Sequence, residues 1–238
     1  MNKLDLLFTK DGLQYQISKG KNVAEDQLFQ REDGAEEDFI DAQLSEVLKK
    51  EKYSQITVVS AINHFTMMPE SFTEHELGYD LIAYNAPVKP ADEELMLSVN
   101  KKFGVQFYYT LPKAFYKLIK YQNTPCFFNF SGEKFLNQLQ PKNRKEIHIN
   151  LYKDQCEFFA IDHKKIILYN NLDVNSEVDF LYFVMFTLSK IGFGTTDTHF
   201  FVYGETTENE TFISELKKFV KHLKISFDNL HKRHFILN

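Results

Sequence analysis

The sequence predicts an α/β protein made of two similar halves, each running β-β-β-α-β-α-β. Three observations lead there. The segments Leu6 to Tyr15 and Ile149 to Phe158 both read as a strand, a polar turn around Lys-Asp and a second strand, at an offset of 143 residues. Helical patterns open at Asp38-Phe39 and again at Asp179-Phe180, 141 residues apart. β-rich runs follow at Ile56 to Val59 and at Phe200 to Tyr203, 144 residues apart. Identities within each match are few. The ordered series at nearly constant spacing is what marks a repeated architecture.

Composition sets the outer bounds. The chain has 238 residues, 28 basic against 33 acidic side chains and 43% apolar residues. With only 9 Gly and 6 Pro it is neither disordered nor fibrous. No apolar run approaches the roughly 20 residues of a membrane helix, so no membrane insertion is expected. No cleavable leader is visible at the N-terminus. Cys126 and Cys156 have no metal or redox spacing, which suits a reducing cytoplasm. The acidic balance and the lack of a basic run argue against nucleic acid as the main partner. The 24 Phe and 12 Tyr sit in apolar patterns rather than between basic residues, so they read as codon drift and core, not stacking platforms.

Taken in order, the first half opens with the hairpin of Leu6 to Tyr15. A helix then carries the stripe Ile40, Leu44, Val47 and Leu48. The strand at 56–59 is followed by a helix near Ser71 to Ile82, for which Thr73 and Glu76 fit a capping box. Strands at 94–99 and 105–111, a helix opening at Pro112, a tight link at 125–130 and a short helix after Ser131 read as an insertion near 92–139. Pro112 suits a first helical turn, where its missing N–H costs nothing. The stretch 138–145 reads as the hinge, giving domains 1–140 and 141–238. The second half is read as strands at 146–152, 156–161 and 165–169, a helix at 177–191, a strand at 198–203, a helix at 210–223 and a strand at 225–229. Ser176 with Asp179 is a start signal for the helix at 177–191. That helix is apolar almost all round, so it is expected to be covered on several sides. The helix at 210–223 has an apolar stripe of Phe212, Ile213, Leu216, Phe219, Val220 and Leu223, with Lys217, Lys218 and Lys221 opposite.

Two consecutive units of this kind are the ground plan of the actin-like ATPase superfamily, on the ribonuclease H-like fold, and the whole chain resembles it. The segment Tyr108-Tyr109-Thr110-Leu111-Pro112-Lys113-Ala114-Phe115 is similar to the strand-Pro-helix step of the pilus-assembly members. The chain is most similar to an uncharacterised bacterial family of this length, a domain of unknown function with an actin-like fold. The resemblance implies an ATP cleft between repeats. In it, each opening hairpin supplies an Asp-x-Gly phosphate loop, and glycines after the late strand make room for adenosine.

Carried over by position, these motifs are degenerate. In the second hairpin the aspartate place falls on Asn150 and the glycine place on Tyr152; in the first they fall on Leu7 and Thr9. A shifted register offers Asp5, but then Leu7 takes the glycine place. Asp11-Gly12 lies at the turn itself, where Asp-Gly is ordinary hairpin chemistry. A single Gly204, followed by Glu205, remains at the adenosine step. The resemblance therefore implies a candidate cleft around Thr9, Asp11, Asn150, Tyr152, Asp154 and Gly204, without catalytic residues, metal or cofactor. The expected role is a non-catalytic binding or assembly module acting on a protein partner, with a homodimer also open. The alternative is a switch that binds ATP with magnesium through Asp5 or Asp11 and Asp154. An actin-like polymer is a third reading.

Other chemistry is weaker. A two-metal nuclease could use Asp5 and Asp38, but the late strand ends at Asn63-His64 and the second repeat begins with Asn150. The acidic run 32–38 reads as a solvated loop ahead of a helix start. His231 and His234 read as a basic tail, and His64, His75, His148, His163, His199 and His222 as no constellation. Cys126 reads as a small buried side chain, since no base can be assigned to it.

Overall fold

The computed structural model describes residues 2–10, 12–32, 36, 38–153, 155–174, 176–204, 210–227 and 235–237. The chain divides into two compact units. One runs to Asn137 and takes in Leu237; the other is Gln138–Ile236.

In the first unit, β1 (Asn2–Phe8), β2 (Gly12–Lys19) and β3 (Asn22–Gln30) form an antiparallel meander. Helix α1 (Phe39–Lys50) crosses over to β4 (Tyr53–Ser60), which lies parallel to β1. Strand β8 (Cys126–Phe130) lies parallel to β4, completing the order β3-β2-β1-β4-β8, and runs straight into the expected short helix α4 (Ser131–Gln138). The alternation of β1 decides which face packs. Leu4, Leu6 and Phe8 point to the same core as Leu44, Val47 and Leu48 of α1. Each such side chain, fully buried, contributes about 1.5–3 kcal/mol. Between β4 and β8 come β5 (Phe65–Pro69), α2 (Gly78–Ala83), β6 (Glu93–Asn100), β7 (Val105–Pro112) and α3 (Lys113–Lys120). The three strands among them make a separate antiparallel sheet, β5-β7-β6.

Two expectations for this unit fail. The link at 125–130 is the strand β8, a Cys-Phe-Phe-Asn-Phe run whose pairing to β4 is anchored where the Ile56 N–H donates to the Pro125 carbonyl. The helix expected over 71–82 is a 3₁₀ turn at His75–Leu77 followed by α2, and no side chain caps either. Gly78 opens α2 because a Cβ there would lie 2.6 Å from Leu95 and 3.0 Å from Tyr108. Tertiary packing sets that boundary, not the Thr73 signal.

The second unit repeats the first sheet. Its strands are β9 (Lys145–Leu151), β10 (Gln155–Asp162), β11 (Lys165–Asp173), β12 (His199–Gly204) and β13 (His222–Ile225), in the order β11-β10-β9-β12-β13. The meander is antiparallel and β12 and β13 continue it in parallel. Even the register agrees. Leu7 pairs with Gln14 and Asn150 with Glu157, while Leu7 lies beside Val59 and Asn150 beside Tyr203. Each hairpin is closed by the same backbone bond, Thr9 N–H to Gly12 O at 3.0 Å and Tyr152 N–H to Gln155 O at 2.9 Å.

Helix α5 (Glu177–Ile191) begins as expected: Ser176 Oγ accepts from the Asp179 N–H at 3.2 Å. It ends at Gly192, whose φ of +70° is the left-handed cap that glycine adopts without strain. It is not enclosed, however. Phe180, Val184 and Leu188 face the sheet, while Val178, Tyr182 and Phe186 are 74%, 60% and 47% exposed. Helix α6 (Glu210–Lys217) stops short of the expected 223. Tight backbone bonds from Lys218 to Glu215 and from Phe219 to Leu216 close it, and 222–225 joins the β12 ladder instead. The strand expected at 225–229 is thus displaced, with 228 and 229 outside the described residues.

Removing the start signal of α5 has a calculable cost. Ser176→Ala is expected to lower unfolding stability by about 1 kcal/mol, read as a lower urea midpoint at unchanged slope.

Candidate functional site

Alternation along β9 gives the second sheet two unlike faces. Ile147, Ile149 and Leu151 pack with α5 and α6. Glu146, His148 and Asn150 point the other way, with Gln155 and Glu157 of β10 and Asn171 of β11, and every one of these is buried. Buried polar groups must find hydrogen bonds or cost several kcal/mol each. These find them in one another, except that Asn150 Oδ1 is buried without a partner among the described residues.

Glu157 is the centre of one group. Its carboxylate is fully buried and accepts from Asn150 Nδ2 at 3.3 Å, Tyr152 OH at 3.0 Å and Tyr169 OH at 3.0 Å. Beside it, Gln155 Nε2 donates to Asn171 Oδ1 at 2.8 Å. Gly204 has φ +90°, and a Cβ there would meet Leu151 O at 2.3 Å and Asn150 Oδ1 at 2.7 Å. The sheet's own backbone therefore accounts for this glycine. Asn150, Tyr152 and Gly204 are thus brought together, around a glutamate the sequence reading passed over. Its signal was a lone charge in the apolar run Cys156 to Ile161. Asp11, Asp154 and Glu205 lie outside the described residues, as do His231, His234 and most of the acidic run at 33–37.

A phosphate loop needs bare backbone N–H groups and a free carboxylate. At the glycine place Tyr152 puts a buried ring whose hydroxyl is spent on Glu157 and whose N–H closes the hairpin. At the aspartate place Asn150 is neutral and donates to the same glutamate. The residues of this hairpin do not fit the group. In the first unit Leu7 is fully buried and the Thr9 N–H is committed to Gly12. Gln14, in the place that Glu157 holds, donates to Asp26 Oδ1 at 3.0 Å, and Gln16 to Asp26 Oδ2 at 2.7 Å. Among the described residues, no group of three His, Cys, Asp or Glu side chains could hold a metal ion.

A second group runs along the same face. Glu146 is bonded to His148 Nε2 at 3.2 Å and accepts from Arg144 Nε at 2.8 Å, and His148 Nδ1 lies 3.0 Å from Tyr203 OH. Burial pushes the Glu146 carboxyl up, but the bonds from His148 and Arg144 outweigh it and hold it below the usual carboxylate range. Burial pushes the Tyr203 hydroxyl up to about 12, and its ring stacks on Phe235 at 4.6 Å. Arg144 also reaches His199 at 3.3 Å, and His199 stacks on His222 at 4.5 Å across the β12–β13 pairing. Burial, then Arg144 and His222, hold His199 below the usual histidine value. Three histidines that looked unrelated in sequence are therefore neighbours of one network, joined by strand order that no local pattern reveals. His64, by contrast, is bonded to Glu93 in the first unit at 2.8 Å. Neither cysteine is poised as a nucleophile: burial pushes the Cys156 thiol up to about 12 and also raises Cys126, whose Sγ donates to Thr124 O at 3.0 Å.

Removing the Tyr152 hydroxyl takes a donor from a buried carboxylate, so Tyr152→Phe is expected to cost about 1–3 kcal/mol in chemical denaturation. The pH profile should fall at both ends. Glu146, depressed in the fold, stabilises above its ordinary 4.5, and that stability is lost as pH drops below it. Tyr203, raised in the fold, stabilises fully below 10, and that contribution is lost as pH climbs from 10 to about 12. Urea midpoints across this range, with Tyr203→Phe retaining more stability at the alkaline end, check the assignment; identical alkaline losses contradict it.

Solved structures place this geometry in a known architecture. A protein of unknown function with an actin-like ATPase fold from Bacteroides thetaiotaomicron aligns with 95% of this chain and 90% of its own, at 19% identity and a TM-score of 0.78. The PilM–PilN type IV pilus biogenesis complex aligns over 96% and 88%, at 10% identity and 0.55. The ethanolamine utilization protein EutJ from Carboxydothermus hydrogenoformans aligns over 100% and 89%, at 10% identity and 0.51. At such identities the likeness is one of fold, and the fold is that of the actin-like ATPases. No curated protein matches the chain. Residues 1–223 match the family described as protein of unknown function (DUF3822), and the chain belongs to that family.

Proposed function

We propose that this chain is a non-catalytic binding or assembly module, descended from a duplicated nucleotide-binding half and working without a nucleotide or metal. The observation that carries this is Tyr152. Its ring fills the glycine place of the second hairpin, its N–H is used within the hairpin and its hydroxyl serves a buried glutamate. The Asn150 amide N–H and the Tyr152 hydroxyl are both given to Glu157, and the one unpartnered atom of these two side chains, Asn150 Oδ1, is an acceptor that repels an anion rather than binding it. The partner is a protein, in keeping with the net charge of −5 and with a neighbour whose structure was solved as the PilM–PilN complex. Two free cysteines fit a reducing compartment, the cytoplasm.

Calorimetric titration of the whole chain with ATP and magnesium is the test. No measurable heat is expected. Binding heat that disappears in Asp11→Ala or Asp154→Ala would overturn the proposal in favour of a nucleotide switch with unconventional metal ligands.

A further inference from the structure

Helix α5 has a face that neither its own sheet nor α6 uses. Val178, Tyr182 and Phe186 recur every four residues on it and are all exposed, and the Tyr182 and Phe186 rings stack at 5.6 Å. Soluble proteins seldom display adjacent aromatic rings on one helix without a use for them. This face lies across the sheet from Asn150 and Glu157, so what it does is independent of whether a nucleotide binds.

The charges at its edges say what fits it. Asp179 stands in the first turn and Lys190 in the last, and the Lys190 ammonium sits 5.1 Å from the Phe186 ring centre, beside the stripe. They are eleven residues apart, and three helical turns take about 10.8 residues, so both lie on the same flank of the helix. In an antiparallel pair related by a twofold axis, same-flank residues of the two copies meet. With the axis level with the Val184–Met185 peptide, Lys190 of one copy comes opposite Asp179 of the other, twice over. The same setting brings Phe186 level with Phe183 and puts each helix C-terminus beside the other's N-terminus, which the helix dipoles favour.

We propose that α5 is a homodimer interface: a second copy of this chain docks antiparallel on the Val178, Tyr182 and Phe186 stripe and is held in register by reciprocal Asp179–Lys190 pairs. A helix of 15 residues is about 22 Å long, a small contact, so the dimer belongs to the weak, concentration-dependent class.

Sedimentation equilibrium of the whole chain up to about 500 μM, in low and high salt, tests it. The wild type should dimerise and salt should weaken the dimer. Tyr182→Glu should weaken it by roughly 30-fold or more, the effect of losing a central aromatic anchor. Asp179→Lys and Lys190→Asp should each weaken it, and the double swap should restore it. Circular dichroism of each variant confirms folding, and Tyr182→Ser replaces any variant that unfolds. A wild type that stays monomeric throughout, a dimer indifferent to position 182, or a charge swap that fails to rescue would each overturn the proposal. The first result would leave the face to a different protein.

Discussion

The second unit depends on keeping a carboxylate deep in its sheet. Glu157 has no exposed surface, and a carboxyl group without hydrogen-bond partners there would cost several kcal/mol. Asn150, Tyr152 and Tyr169 supply the donors, and each is committed by that task. A buried acceptor in this position rigidifies its surroundings because moving any donor exposes the penalty again. The second hairpin is thereby made part of the core. Glu146 is handled similarly further along β9, by His148 and Arg144.

The first unit has a neutral side chain at the corresponding place, with its carboxylate partner Asp26 on the neighbouring strand. Gln14 takes the place of Glu157, and Leu7 that of Asn150, so at this one place less polarity must be satisfied. Both hairpins spend the same backbone N–H on their own closure. One fold has therefore filled its two corresponding places in chemically different ways. The small sheet β5-β7-β6 is an addition to the first unit with no counterpart among the described residues of the second.

Much of this was legible beforehand. The offset of 143 between hairpins is the strand register itself, since period-two alternation leaves no freedom to slip without turning the core face outward. The Ser176 cap was legible because capping is local chemistry. The end of α6 was not: Phe219, Val220 and Leu223 keep helical spacing, yet pairing with β12 takes residues 222–225 into a strand. Nor was β8 legible, for its five residues gain strand identity only from β4 beside them. At the site, Asn150 and Tyr152 could be placed by offset alone. Glu157 showed only as a lone charge in an apolar run, and the joining of Arg144, Glu146 and His148 to Tyr203, His199 and His222 could not be read, because strand order rather than sequence distance brings those together. The exposure of α5 was misread for a related reason: apolarity all round says a face is sticky, not that its own chain covers it.

The central claim is that side chains occupy the places where phosphates would sit. Crystals of the full chain grown with magnesium and a non-hydrolysable ATP analogue address it directly. Tyr152 should still be bonded to Glu157, with no analogue density at either hairpin. A triphosphate resting against the backbone near Thr9 or Tyr152, with that tyrosine swung away, would contradict it.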